Sequence, residues 1–314
     1  MENSGNKILK FFGYNRRKLF DLGFWKNSLW AYLYLLPALL ILGTFSFWPL
    51  IKSFKMSLFD WNVLTNTGNF IGLQNYYQLF QDPNFWDALW HTFCYAAIQT
   101  PLTMALALLV AILLNQKIKF QGWFRTTFFL PWITPMVAGA SVFLWLFNRD
   151  YGLINQILSF FGITSLNWLN SPDLAIPLLI IFGAWKFLGF DVVLFLAGLQ
   201  NIPEYYYEAA KVDGANCLQR FRHITMPLLT PTTFFVFIIS MIGSFKVFTQ
   251  VYVLWAGTAG PLDSASTMVM FFYQEAFRNY HFGYASASAY ILFLVVFILT
   301  LINMRLSKRW VHYQ

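Results

Sequence analysis

Six stretches of this chain are each long enough to cross a lipid bilayer as a helix, and they carry almost no charge. A helix needs about 20 mostly apolar residues to span the hydrocarbon core. The stretches run over residues 29–51, 92–114, 126–147, 174–199, 232–255 and 284–304. Four of them contain no Asp, Glu, Lys or Arg; the fourth contains Lys186 and Asp191, and the fifth contains Lys246. In hydrocarbon, backbone N–H and C=O groups have no water to bond, so each stretch is driven to an α-helix, which satisfies them internally. The expected fold class is an all-α membrane protein of six transmembrane helices. Of the 314 residues, 58% are hydrophobic and 11% are charged, against about 25% charged in a soluble domain. Such a chain needs lipid as part of its solvent.

Orientation follows from the Lys and Arg residues flanking the spans, which accumulate on the cytoplasmic side. The head, residues 1–28, holds Lys7, Lys10, Arg16, Arg17, Lys18 and Lys26. The loop after the second span has Lys117, Lys119 and Arg125, the loop after the fourth has Lys211, Arg220 and Arg222, and the tail, residues 305–314, has Arg305, Lys308 and Arg309. Those fifteen face Lys52, Lys55, Arg149 and Arg278 on the other side. Both termini are therefore expected in the cytoplasm, with residues 29–304 as the membrane domain. The first span is expected to be retained rather than cleaved as a signal peptide, because it is longer than an h-region and no small-residue cleavage pattern follows it. The net charge of +8 is this topological bias. No motif that reads a nucleic-acid groove accompanies it, so no nucleic-acid partner is expected.

Proline and glycine punctuate the spans at Pro37, Pro101, Pro131, Pro135, Pro177, Gly139, Gly183, Gly189 and Gly243. Proline removes a backbone donor and kinks a helix, which suits a protein that moves; small residues also serve plain helix packing. An aromatic-rich segment at 75–90 is expected as a helix on the membrane surface. Cys94 lies in a span and Cys217 in a polar loop, so no disulfide is expected between them.

The cytoplasmic loop at about 201–230 reads as helix, glycine, helix. Pro203 is expected in a first turn with Glu204 near the positive helix end. Gly214 is expected to stop the helix in a left-handed conformation, and Asn216 to cap a second helix that Pro227 closes. Ala209 and Ala210 leave a bare face that another backbone can approach, flanked by Glu208 and Asp213. An elbow fixed to two spans can pass a push from a soluble partner into the membrane, or it can be a simple connector.

Glu208-Ala209-Ala210, then Gly214 after three residues, then Ile224, Met226 and Pro227, resembles the EAA loop of binding-protein-dependent ABC permeases. The usual form has Leu where this chain has Met226, a volume-conserving exchange. The run Ala197-Gly198-Leu199-Gln200 and Glu208 to Ala215 is similar to sugar permeases of the maltose and glycerol-3-phosphate type. So are Phe70 to Tyr76, Pro131 to Pro135, Asn148 to Asn155 and Gly260-Pro261. Two departures are His91-Thr92, where the family often has Asn-Thr, and Ala259-Gly260-Pro261, where Gly-Gly-Pro is common.

The resemblance implies an ABC importer permease fold in the plasma (inner) membrane of a prokaryote. It also implies a sugar or sugar-like solute as cargo. The implied partners are a second permease in a heterodimer, two ATP-binding-cassette ATPase subunits and an extracytoplasmic solute-binding protein. Glu208, Ala209, Ala210, Asp213 and Gly214 would dock on an ATPase. The chain has no Gly-x4-Gly-Lys-Ser/Thr loop of its own, so it is expected to bind no cofactor, with ATP and Mg held by the ATPase partners.

Ionisable residues inside a span are costly and point to function, which selects Lys186, Asp191 and Lys246. Either lysine can pair with Asp191 or reach an interface. Trp185 shares a helix face with Gly189, and Ser240 with Ser244, at i, i+4 spacing. The serines can also bond to carbonyls one turn earlier. Matching stretches of the resembling family place Leu188, Gly189, Val192, Ser240 and Ser244 near the solute pathway. Lysines facing that pathway would favour an anionic solute such as glycerol 3-phosphate. An intramembrane enzyme is not expected: His91, His223, His281 and His312 form no His-Glu-x-x-His, and Asp191 has no second acid in a span. A channel or ATP-independent transporter would leave the elbow without a purpose.

Overall fold

The computed structural model describes residues 22–62, 67–116 and 119–310. The basic head residues Lys7, Lys10, Arg16, Arg17 and Lys18, together with Lys117 and residues 311–314, lie outside these. The chain divides into two compact units, Met1–Lys55 and Met56–Gln314.

The first unit carries the first span. Helix α1, Leu22–Leu42, continues through a π-helical turn, Gly43–Phe47, into α2, Trp48–Ser57. Pro37 lies inside α1 without ending it. Large apolar side chains from Trp30 to Phe54 are exposed along its length, as lipid-facing positions would be.

The second unit opens with a hairpin that the sequence reading did not foresee. Strand β1, Phe59–Asn62, pairs antiparallel with β2, Thr67–Phe70, with Phe59 opposite Phe70. The expected surface helix is shorter than 75–90. Helix α3 covers Gln74–Gln81 and stops at Asp82. Pro83 then opens α4, Pro83–Leu114, with Asp82 accepting from Asn84 N at 2.9 Å as its N-cap. Proline is suited to the first turn of a helix, so residues 83–90 join the second span. The other oxygen of Asp82 accepts from Tyr284 Oη at 2.7 Å.

The third span is broken. Helix α5, Gln121–Ile133, and α6, Met136–Leu146, meet at 97°. Residues before a proline are pushed out of the helical region, and Thr134 accordingly has φ −56° and ψ 131° ahead of Pro135. After α7, Leu153–Phe160, the fourth span is the unbroken α8, Pro172–Gln200. The elbow follows as α9, Glu204–Val212, and α10, Cys217–Arg220. A π-turn at Phe221–Thr225 leads to α11, Met226–Leu228. Here Pro227 does not close the helix as expected; it stands in the first turn of α11, and the bend of 63° comes before α12, Thr230–Phe245.

The fifth span also differs from one continuous helix over 232–255. It ends at Phe245 and resumes as α13, Thr249–Leu254. The 16 residues of α12 rise about 24 Å, short of the about 30 Å of a hydrocarbon core. Helix α14, Met268–Phe277, precedes the last span, α15, Phe282–Trp310, which runs past the expected end at 304. Among the described residues, four helices are thus long and apolar enough to cross a membrane unbroken, and up to six spans result if each bent pair is counted as one.

Three apolar clusters hold the second unit together. One gathers Phe143, Phe147, Leu178, Phe182 and Val251, another Leu79, Phe85, Met241, Met268 and Phe271, and a third Ala107, Ala111, Val192, Phe195, Leu199 and Leu229. Helices α4 and α8 make the most extensive pairing. The two motif departures fall in this framework. His91 Nδ1 lies 3.2 Å from Ser266 O, and Thr92 Oγ1 accepts from Met268 N at 2.8 Å, so His91-Thr92 ties α4 to the start of α14. Ala259 is fully buried, and its carbonyl accepts from Ala265 N at 2.8 Å.

Candidate functional site

The elbow is built by local chemistry. Asp213 ends α9, and Gly214 follows with φ +77°. Gly214 N donates to Lys211 O at 3.1 Å and Ala215 N to Ala210 O at 2.8 Å, the paired bonds of a Schellman stop. Asn216 then caps α10 with a full capping box: its side chain accepts from Gln219 N at 2.9 Å, and Gln219 Oε1 accepts from Asn216 N at 2.8 Å. Pro203 is the N-cap of α9 rather than a residue of its first turn.

Glu208, Ala209, Asp213 and Gly214 are exposed, and Ala210 is half-buried. The exposed phenol of Tyr205 titrates above its ordinary value, chiefly through its hydrogen bond with Tyr206 and then through desolvation. It stays neutral, so charge on this face comes from Glu204, Glu208, Lys211 and Asp213. The opposite side of the elbow is anchored. Tyr207 Oη lies 3.0 Å from Thr225 Oγ1, and Tyr207, Ile224 and Leu228 pack on the cluster that includes Ala111 of α4 and Leu199 of α8. A displacement of α9 therefore bears directly on the ends of α4 and α8 that meet the elbow.

A second feature lies where α4, α5, α8 and α12 meet. A cavity of about 100 Å³ is lined by Trp132, Phe187, Phe190, Ile239 and Gly243, with Gln99, Asp191, Ser240 and Ser244 as its polar groups. Trp132 stacks on Phe190 with centroids 4.5 Å apart. Ser240 Oγ donates to Asp191 at 3.3 Å, and Ser244 Oγ donates to Gln99 Oε1 at 2.6 Å while lying 3.0 Å from Thr100 Oγ1. Ser244 Oγ also lies 2.8 Å from Ser240 O, so the carbonyl one turn earlier and Gln99 Oε1 share the single hydroxyl donor. Gln99 Nε2 donates to Thr103 Oγ1 at 3.0 Å. Aromatic walls with a polar seam can hold a molecule that has apolar faces and a hydroxylated rim.

The other sequence-selected residues take different places. Trp185 packs on Phe143 and Phe182, with centroids 5.2 and 5.9 Å away, and on Gly139. Gly189 lets α8 approach α5 so closely that an added Cβ would run into the Phe128 carbonyl. Val192 is buried in the third cluster, and Leu188 packs on it. Lys246 is exposed at the end of α12. Lys186 is buried and bonds to carbonyls of the broken third span. Of the two alternatives open for the lysines, pairing with Asp191 does not occur: among the described residues, neither Lys186 nor Lys246 forms an ion pair with it.

Sequence reasoning missed Gln99, Thr100, Trp132, Phe187 and Phe190. A signal for Gln99 was present, since an amide inside an otherwise apolar span is itself costly. The aromatics carry no such mark in a chain with 36 Phe and 13 Trp.

Comparisons with known proteins agree with this architecture. Residues 103–312 match the model of the binding-protein-dependent transport system inner membrane component family. The chain is 38% identical to a probable ABC transporter permease protein, YesP, of Bacillus subtilis, over 92% of this chain and 94% of that one. It is 35% identical to the arabinooligosaccharides transport system permease protein AraP of the same organism, over 90% of each. The fold is similar to that of a chain from a bacterial ABC transporter involved in the import of the acidic polysaccharide alginate, with TM-score 0.81 and 23% identity over 90% of this chain and 96% of that one. With residues 103–312 matching the family model across the broken spans and the elbow, the chain belongs to the inner membrane components of binding-protein-dependent transport systems.

Proposed function

We propose that the chain forms half of the translocation pathway of an ATP-driven importer for a neutral oligosaccharide or a similar hydroxylated solute. An extracytoplasmic binding protein delivers the solute, a second permease completes the pathway, and two ATPase subunits bind ATP and Mg and hydrolyse the nucleotide. The chain itself is a transport component rather than an enzyme. The observation that carries the reading is the cavity of Trp132, Phe187, Phe190, Asp191 and Ser240, in one chain with a capped elbow anchored to two spans.

The AraP similarity supports an oligosaccharide. The position of the lysines argues against an anionic one: the cavity lining includes Asp191 but no Lys or Arg. At about 100 Å³ the cavity is smaller than the about 300–1,000 Å³ of ordinary ligand pockets. The remaining room comes from the partner permease and from the outward-open state. ATP binding closes the ATPases, the elbow moves with them, the spans open outward to accept solute, and hydrolysis resets them.

The test is uptake by vesicles holding the assembled transporter, with labelled arabino-oligosaccharides, maltose and glycerol 3-phosphate offered in parallel. Selective uptake of a neutral sugar supports the reading. Selective uptake of glycerol 3-phosphate overturns its substrate class.

A further inference from the structure

Helix α5 ends with carbonyls that the helix itself cannot satisfy. Thr134 N closes the last regular turn by donating to Leu130 O at 3.1 Å. The next residue, Pro135, has no N–H to offer Pro131 O, and the chain then turns through 97°. The last carbonyls of a helix always lack intrahelical donors. Buried within a membrane span, such carbonyls are costly to leave unpaired.

Lys186 supplies the donors from α8. An ammonium has three N–H groups and no acceptor. Lys186 Nζ lies 2.8 Å from Pro131 O and 3.0 Å from Trp132 O, and it also bonds Thr134 O. The three donors meet three carbonyls, and the side chain is buried. Its charge stands at the C-terminal end of α5, where the helix dipole is negative. Nζ is 6.0 Å from the centroid of Trp132, whose ring stacks on Phe190 in the cavity wall. Asp191, five residues further along α8, is bonded by Ser240.

We propose that Lys186 is a positioning residue: its ammonium caps the broken third span and thereby holds Trp132 in the cavity wall, so it is not a charge that binds solute. The wall's role rests on the cavity reading above; the cap does not. One consequence concerns specificity, since a lysine engaged by three carbonyls leaves the cavity without a cation for a phosphate or carboxylate.

The test needs no knowledge of the cargo. The assembled transporter is prepared with Cys94→Ser, Cys217→Ser and a reporter Thr134→Cys, and it is recovered through a tag on an ATPase subunit so that only assembled complexes are read. The rate of labelling by N-ethylmaleimide reports how open the break is. Losing all three donors in Lys186→Met raises that rate about tenfold, while Lys186→Gln, which keeps two N–H groups without charge, raises it about threefold. Lys186→Gln labelling as fast as Lys186→Met, with Lys186→Arg equal to the parent, would show that charge and not donation matters and would overturn the proposal. So would parental rates in all three. If Lys186→Met does not assemble, the SDS-unfolded chain serves as the fully open reference for Lys186→Gln, under the same criterion.

A second readout follows Trp132. For a sugar taken up in the panel above, Lys186→Gln raises the half-saturating concentration about threefold at unchanged maximal rate and adds nothing to Trp132→Ala, as expected for coupled residues. An additive effect overturns the link to Trp132. Failure of every sugar in the panel bears on the proposed cargo, while the labelling result still decides the cap.

Discussion

Asp191 is a buried carboxylate that, among the described residues, accepts from the hydroxyl of Ser240. Asp191→Asn keeps the size and an acceptor for Ser240 but changes what the cavity offers a hydroxylated solute. The expected outcome is a half-saturating concentration about tenfold higher, or about 1.4 kcal/mol, measured by uptake of the transported sugar. Unchanged affinity would make Asp191 a packing element. Ser244 works differently. Its hydroxyl is shared between Gln99 Oε1 and Ser240 O and neighbours Thr100, so Ser244→Ala removes the donor that the buried Gln99 Oε1 uses, at a cost of about 1–3 kcal/mol. A fall in the thermal unfolding temperature of the purified transporter would report it. Gly189 is needed for space. Any side chain there meets the Phe128 backbone, and Gly189→Val should cost at least about 1–3 kcal/mol of overpacking, read as loss of assembled complex. None of these contacts could be seen along the chain: Ser244 and Gln99 are 145 residues apart.

The elbow is the element whose form depends least on distant residues. Its stop and its cap are made within a few positions, from Ala210 to Gln219, so sequence spacing is enough to expect both. Gly214 takes φ +77°, which proline cannot adopt. Gly214→Pro should therefore distort the joint and leave ATP hydrolysis running while solute uptake fails, when both are measured on one reconstituted preparation. Normal uptake would remove the coupling role from this glycine. Asn216→Ala, which loses the capping box, should cost about 1 kcal/mol and lower uptake without abolishing it. The span breaks were less legible. Of the five prolines that punctuate the spans, Pro37, Pro101, Pro131 and Pro177 lie inside helices, and only Pro135 stands at a turn of the chain. The break after Phe245 has no proline at all; Thr267 Oγ1 donates to Val247 O at 2.9 Å there.

At the scale of the whole molecule, the prediction concerns partners. Ala209→Cys, placed on the exposed side of α9 in a chain with Cys94 and Cys217 replaced, should cross-link to an ATPase subunit in the assembled transporter. Inactivating the ATPases should abolish uptake; persistent uptake would identify a channel or an ATP-independent transporter instead.

Six apolar stretches, their charge-biased flanks and the capped elbow follow from composition and short-range spacing. Lipid imposes helix on any long apolar segment, and caps act over only three or four residues. Folding had to decide which polar groups inside the spans meet. A lysine within a span can satisfy an acid, an interface or a broken helix, and these alternatives differ only in which helix lies beside it. The close approach of α8 to α5 at Gly189 brings Lys186 to the carbonyls of Pro131, Trp132 and Thr134. That same packing leaves Asp191 to Ser240.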